Sequence, residues 1–214
     1  MYTSTSKELF SYTSGRFIYN EPLRLHERHV AFDPNGLLRE IERHLGHDHG
    51  RALSIAKIAE GGFNRVFLVN MEDGLETIVK IPYHVPGPKH YATASEAATL
   101  EFLRSRDIPV PKLYGYSACN ANPAGVEYII MERAPGVRLE TRWLDMSKRE
   151  RNKLAFSFVE IEEKFFDLPF CSTGSIYFKA DTPSNLQSAL YTAGSEVSSD
   201  SHTFCIGPTA DYMF

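Results

Sequence analysis

Alternating apolar and polar residues predict five β-strands in the first two thirds of the chain. The predicted strands cover residues 54–59, 65–71, 75–82, 112–118 and 126–133. Asp73-Gly74 is typical of a tight hairpin, and residues 122–125 (Asn-Pro-Ala-Gly) predict a second turn. Because short turns join antiparallel neighbours, we expect one antiparallel sheet.

Apolar residues at helical spacing predict three helices around these strands. The first begins at Asp33-Pro34, an N-cap followed by a first-turn proline, and ends at Gly46. The second covers about residues 93–106, and the third runs from a capping box at Ser147 to about Asp167. Residues 1–32 are aromatic-rich and irregular, and polar residues 179–202 predict a long surface loop or a disordered segment.

A lysine stands where a strand should be apolar. Lys80 lies within the run Ile-Val-Lys-Ile, and a buried ammonium is costly unless an anion meets it. Glu96 lies on the first turns of the following helix and can face Lys80, while the turn Gly61-Gly62 allows a ligand to approach the backbone closely. Kinases orient the α- and β-phosphates of ATP with this order of elements, so we expect the anions to be Glu96 and a nucleotide phosphate.

Composition narrows the function classes. The 214 residues carry a formal net charge of −4, which provides no basic field for nucleic acid. No run approaches 18 apolar residues, so we expect no membrane span. Three unevenly spaced cysteines are typical of reduced thiols in an intracellular protein.

Several segments resemble a known family. "EGGFNRVFLV", "IVKIPY", "SEAATLEFLRSRDIPVPKLYGYSA" and "EYIIMERAPGVRL" resemble the aminoglycoside phosphotransferase (kinase-like) family. "ELFSYTSGRFIYNEPLRLHERHVAFD" resembles its fungal altered-inheritance-of-mitochondria phosphotransferase-like subgroup. The resemblance implies an α+β fold: a protein-kinase-like N-lobe, with a five-stranded antiparallel sheet plus helix, then a hinge and an incomplete helical C-lobe.

The resemblance also implies a domain plan and an ATP site. Residues 1–53 would be an N-terminal extension and helix, 54–136 the N-lobe and hinge, 137–178 the start of the C-lobe, and 179–214 a loop and truncated C-lobe segment. Met131 takes the gatekeeper position, and the Glu132 carbonyl and the Ala134 N–H would pair with adenine. The implied ATP-binding residues are Gly61, Gly62, Phe63, Lys80, Glu96, Met131, Glu132 and Ala134.

The catalytic half of that family's site is missing from the sequence. The family's His-Gly-Asp loop and its magnesium-binding Asp and Asn have no counterpart after the hinge. "HDHG" at 47–50 precedes the lysine, Asp181 and Asn185 are too closely spaced, and Asp211 has no companion. We therefore expect a chain truncated before the catalytic loop, with weak ATP binding, no magnesium ligands and no catalytic residue.

Two function classes remain open. In the family the activity is ATP-dependent phosphotransfer to a small-molecule hydroxyl; the alternative is a non-catalytic nucleotide-binding or scaffolding pseudokinase. The resemblance implies a mitochondrial location, with a cytoplasmic one as the alternative. His44, His47 and His49 at a helix end are a metal-site alternative, although such turns are more often solvated.

Overall fold

The computed structural model describes residues 6–84, 89–192 and 200–210, and its centre is a five-stranded antiparallel sheet. The strands lie in the order β1-β2-β3-β5-β4, and every neighbouring pair is antiparallel. This confirms the predicted antiparallel sheet. The strands are β1 (Ala52–Glu60), β2 (Asn64–Met71), β3 (Glu76–Pro82), β4 (Leu113–Ser117) and β5 (Tyr128–Glu132).

The predicted helices are present, and their caps are those that the sequence indicates. The Asp33 side chain accepts a hydrogen bond from the Asn35 N–H, and Ser147 forms the reciprocal capping box with Glu150. Two short helices before residue 30, in the stretch predicted to be irregular, were not predicted. The helices are α1 (Ser6–Phe10), α2 (Glu21–Glu27), α3 (Pro34–Leu45), α4 (Lys89–Ser105), α5 (Lys148–Phe166) and α6 (Asp200–Thr203).

One face of the sheet carries the main core. Alternate residues of β2 and β3 are buried there, including Phe67 and Val79, and Leu37 of α3 packs against them. The N-terminal residue Leu9 belongs to the same cluster. Helix α3 can approach the β4–β5 turn closely because Gly36 has no Cβ, which would overlap the Pro123 carbonyl oxygen.

A second, smaller core holds α4 from its other side. Strands β6 (Ser175–Phe178) and β7 (Phe204–Gly207) pair antiparallel, and α4 packs between this hairpin and the main sheet. The second cluster contains Ala98, Phe102, Leu190, Tyr191, Phe204 and Ile206. The prediction of a surface loop or disorder over 179–202 is therefore wrong for Leu190 and Tyr191, which are buried. The surrounding residues are polar, so no alternating pattern indicated that these two side chains pack in a core. Residues 193–199 lie outside the described residues.

Helix α5 has no buried residue: Leu154 and Ile161 are half-buried, and its phenylalanines are exposed. Phe156 is 71% exposed, and Phe158 and Val159 line an open groove of 390 Å³ with Trp143. Among the described residues, no helix combines the length and apolar character needed to cross a bilayer.

Candidate functional site

Lys80 and Glu96 form an ion pair across the gap between sheet and helix. Thr77 and Val79 of β3 point into the core, so the alternation turns Lys80 to the opposite face. Its ammonium donates a hydrogen bond to the Glu96 carboxylate on α4. The two side chains are 23% and 37% exposed, so the pair that the sequence predicted is reachable from solvent.

Packing on both sides fixes the helix that carries Glu96. Ala94 and Ala97 of α4 are fully buried next to Glu96, and Phe102 is buried against the β6–β7 hairpin. Arg106, just after the helix, forms an ion pair with Asp200 at the start of α6. The orientation of Glu96 therefore depends on the hairpin that the sequence analysis missed.

The turn between β1 and β2 has glycines that its own geometry does not require. The Gly61 N–H donates to the Asn64 carbonyl (2.9 Å), and the Phe63 carbonyl accepts from the Tyr83 N–H (2.8 Å). Neither Gly61 nor Gly62 has a positive φ, and a Cβ on Gly62 would meet nothing within 4 Å. Neither backbone strain nor internal packing therefore requires a glycine at position 62. The missing side chain leaves space outside the turn in which a ligand can approach the backbone.

Apolar residues flank Lys80 on the same face. Lys80 pairs with Val66 of β2, and Ile78 pairs with Met131 of β5. Val66 and Ile78 are half-buried, whereas Met131 is only 7% exposed. This face offers apolar contact along the strand beside one cation, which suits a base attached to a phosphate.

The segment after β5 provides one unused backbone donor. The Glu132 N–H donates to the Lys112 carbonyl (2.8 Å), and the Glu132 carboxylate accepts from the Lys112 N–H (2.9 Å). Within the three described ranges, the Ala134 N–H has no hydrogen-bond partner. Glu132 pairs with Thr77, three residues from Lys80, so about 10 Å of strand separates this segment from the lysine.

The acidic and histidine candidates are engaged elsewhere. Asp181 accepts a hydrogen bond from the Tyr116 hydroxyl (2.6 Å), while Asp211 lies outside the described residues. His49 contacts Asp73 (2.7 Å) and His44 contacts the Tyr128 hydroxyl (3.2 Å). In the described part of the chain, no group of three or more His, Cys, Asp or Glu side chains could hold a metal ion.

A cavity on another side of the protein could also attract an anion. It has a volume of 640 Å³ and lies between the end of α3 and the edge of β1 and β2. Arg39, Arg43 and Arg51 line it, together with Glu42 and Glu72. The Glu42 carboxylate accepts a hydrogen bond from the Ala52 N–H (2.9 Å), and the Glu72 carboxylate accepts one from the Arg51 N–H (3.2 Å). The negative charges of these two carboxylates partly offset the positive charges of the arginines.

The sequence analysis overlooked two charged residues beside the glycine turn. Glu60 and Arg65 pair across the β1–β2 ladder, and each side chain is only 2% exposed. The signal that could have found them is the alternation of β2, which places Arg65 on the buried face with Phe67.

The chain is similar to curated fungal proteins. It is 27% identical over 97% of its length to altered inheritance of mitochondria protein 9 of Candida tropicalis, covering 39% of that protein. It is 31% identical over 75% of its length to the same-named protein of Debaryomyces hansenii, covering 27% of that protein. A subtelomeric hrmA-associated cluster protein of Aspergillus fumigatus is 47% identical over 59% of the chain and is covered to 25%.

The chain thus spans a quarter to two fifths of the length of these relatives. The names of the Candida and Debaryomyces proteins describe them as mitochondrial, in agreement with the location that the resemblance implied. No protein-family model matches the chain.

Proposed function

We propose that the chain is the nucleotide-binding part of a mitochondrial, kinase-like phosphotransferase. The resemblance of its sequence to the aminoglycoside phosphotransferase family supports the kinase-like assignment, and its similarity to the mitochondrial protein named altered inheritance of mitochondria protein 9 supports the location. The observation that carries the proposal is the Lys80–Glu96 ion pair, which is partly buried but reachable from solvent on the sheet face. A lysine held by a helix carboxylate is oriented to bind the α- and β-phosphates of ATP.

The surrounding residues suit the rest of the nucleotide. Val66 and Ile78 would contact the base, and Gly61, Gly62 and Phe63 would cover the phosphates. Met131 would lie behind the base, while the Glu132 carbonyl and the free Ala134 N–H would pair with its polar edge. The distance of about 10 Å along β3 between Thr77 and Lys80 leaves room for a ribose between the two groups.

ATP would supply the transferable phosphoryl group, and this chain's residues would orient it. In the described residues, Lys80 is the cation placed to balance phosphate charge, and no metal-binding group accompanies it. Binding should therefore be weak, and we expect no phosphoryl transfer by this chain, since positioning and metal ions carry that catalysis. In the phosphotransferase of which this chain would be a part, the proposed acceptor of the phosphoryl group is the hydroxyl of a small molecule.

Calorimetric titration with ATP tests the proposal. Lys80→Ala removes a charge-assisted hydrogen bond, worth about 1.5–3 kcal/mol, so affinity should fall about tenfold or more. Lys148→Ala, which removes an exposed lysine on α5, is the matched control and should leave affinity unchanged. Equal binding by wild type and Lys80→Ala would exclude a phosphate role for Lys80.

A scaffolding role is the second candidate. It is favoured by the exposed apolar side chains of α5, since large apolar patches mark interaction surfaces. Sedimentation equilibrium distinguishes the two functions, because an interaction surface of this kind should cause self-association that replacing Phe156 and Phe158 with serine abolishes.

A further inference from the structure

A buried carboxylate lies at the base of the glycine turn. Glu60 directly precedes Gly61, and its Oε1 accepts hydrogen bonds from the Lys57 ammonium (2.9 Å) and the Arg65 guanidinium (3.3 Å). Burial by itself raises the pKa of Glu60, but the bond from Lys57, the Thr13 N–H and the two cations together lower that pKa below its usual value. The side chain is therefore an ionised anchor.

The second oxygen of the Glu60 carboxylate binds residues that are far away in the sequence. Glu60 Oε2 accepts the backbone N–H groups of Thr13 (2.7 Å) and Ser14 (3.1 Å) as well as both hydroxyls (3.3 and 3.2 Å). The Lys57 ammonium donates to the Ser11 carbonyl (2.7 Å). We call residues 9–14 the N-terminal strap.

Arg65 joins the strap to the second strand of the turn. Its guanidinium donates to the carbonyls of Leu9 and Phe10, each at 3.0 Å, and to that of Arg28 at 3.1 Å. Glu60 ends β1 and Arg65 is its register partner in β2. The strap therefore forms hydrogen bonds with both strands, next to the start and the end of the turn.

The strap is itself fixed, so these bonds restrain the turn. Leu9 is 1% exposed in the main core, and the Phe10 ring lies 5.0 Å from that of Phe32. Arg65 lies on the core face of β2, while Val66, the partner of Lys80, lies on the other face. The strap therefore holds the turn from the side opposite the proposed phosphate site.

We infer that the N-terminal strap holds in place the turn proposed to cover the phosphates, with Glu60 and Arg65 as positioning residues for Gly61-Gly62. The inference rests on the proposed function. A turn fixed before the ligand arrives loses less conformational freedom on binding, so the same backbone contacts give a higher affinity.

Amide hydrogen exchange tests the strap without any nucleotide. Glu60→Gln keeps the shape but removes the charge that joins Lys57, Arg65 and the strap, and we expect the Gly61 amide to exchange at least tenfold faster. The exchange of Val79, a core amide of β3, provides the reference for any global loss of stability. Glu72→Gln is the matched control, since its carboxylate also accepts a backbone N–H but lies at the end of the β1–β2 pair away from the glycine turn.

A second variant protects the test against misfolding of Glu60→Gln. Thr13→Val with Ser14→Ala removes the two hydroxyls, with their contacts to Glu60 and Lys57, but keeps the backbone N–H bonds to Glu60. Gly61 exchange should rise severalfold relative to Val79. If Gly61 accelerates no more than Val79 in both variants, the strap does not hold the turn and the inference is overturned.

ATP titration of the same proteins separates this inference from the proposed function. We expect Glu60→Gln to weaken ATP binding at least fivefold and Glu72→Gln to leave it unchanged. Binding that is equal in wild type and Glu60→Gln would overturn the positioning role. If wild type does not bind ATP, the proposed function fails, and the exchange of Gly61 alone decides whether the strap holds the turn.

Discussion

Replacing Phe102 by alanine should show how much α4 depends on the small hairpin. Phe102 is fully buried, with its ring 5.5 Å from that of Phe204 and 5.7 Å from that of Phe170, and the Arg106 guanidinium lies over it. Removing a buried phenylalanine costs about 3–5 kcal/mol through lost burial and the cavity left behind. Because Glu96 is on the same helix, ATP affinity should fall as well.

Urea unfolding, followed by circular dichroism, measures this loss. Phe156→Ala is the matched control: the same atoms are deleted from a side chain that is 71% exposed, so the free energy of unfolding should change by less than about 0.5 kcal/mol. If both variants lost the same small amount, below about 1 kcal/mol, then α4 would not be packed against β7, and the account of how Glu96 is held would be refuted.

Three further predictions concern single positions. Gly36→Ala should destabilise the protein by about 1–3 kcal/mol in urea unfolding, because its Cβ would overlap the Pro123 carbonyl; no loss would contradict the packing of α3. Burial and the neighbouring Arg43 lower the pKa of His44, so the stabilising contribution of the neutral ring is present above about pH 6.5 and is lost as pH falls below that value. Between pH 7.5 and 5.5 the melting temperature should therefore fall more steeply in wild type than in His44→Gln. Parallel curves would contradict this. Gly62→Ala should leave the melting temperature unchanged but weaken ATP binding, and unchanged binding would show that the turn does not approach the ligand.

The sheet could be predicted because its strands follow one simple rule. Thr77 and Val79 alternate with Ile78 and Lys80, so one face is buried and the other is half-exposed. Strands β6 and β7 follow the same physics but have four residues each, and their paired residues are 26 to 32 positions apart in the sequence. Their stability comes from packing on α4, a long-range contact that local alternation cannot reveal.

The candidate site divides in the same way. Lys80 and Glu96 could be paired from the sequence because a strand followed by a helix brings them to one side of the sheet. Glu60 could not be connected with Thr13, because 47 residues separate them and the bonds depend on how the N-terminal segment folds back. Local periodicity thus predicted that Lys80 and Glu96 meet, whereas the contacts that hold the neighbouring turn required the three-dimensional structure.

The most direct test of the central claim is to map ATP onto backbone amide signals by NMR. The account predicts that the signals of Gly61, Gly62 and Ala134 shift as ATP is added, and that Lys80→Ala greatly reduces those shifts. Shifts confined to Gly50 and Arg51, at the arginine-lined cavity, would instead place the nucleotide on the other side of the protein and contradict the account.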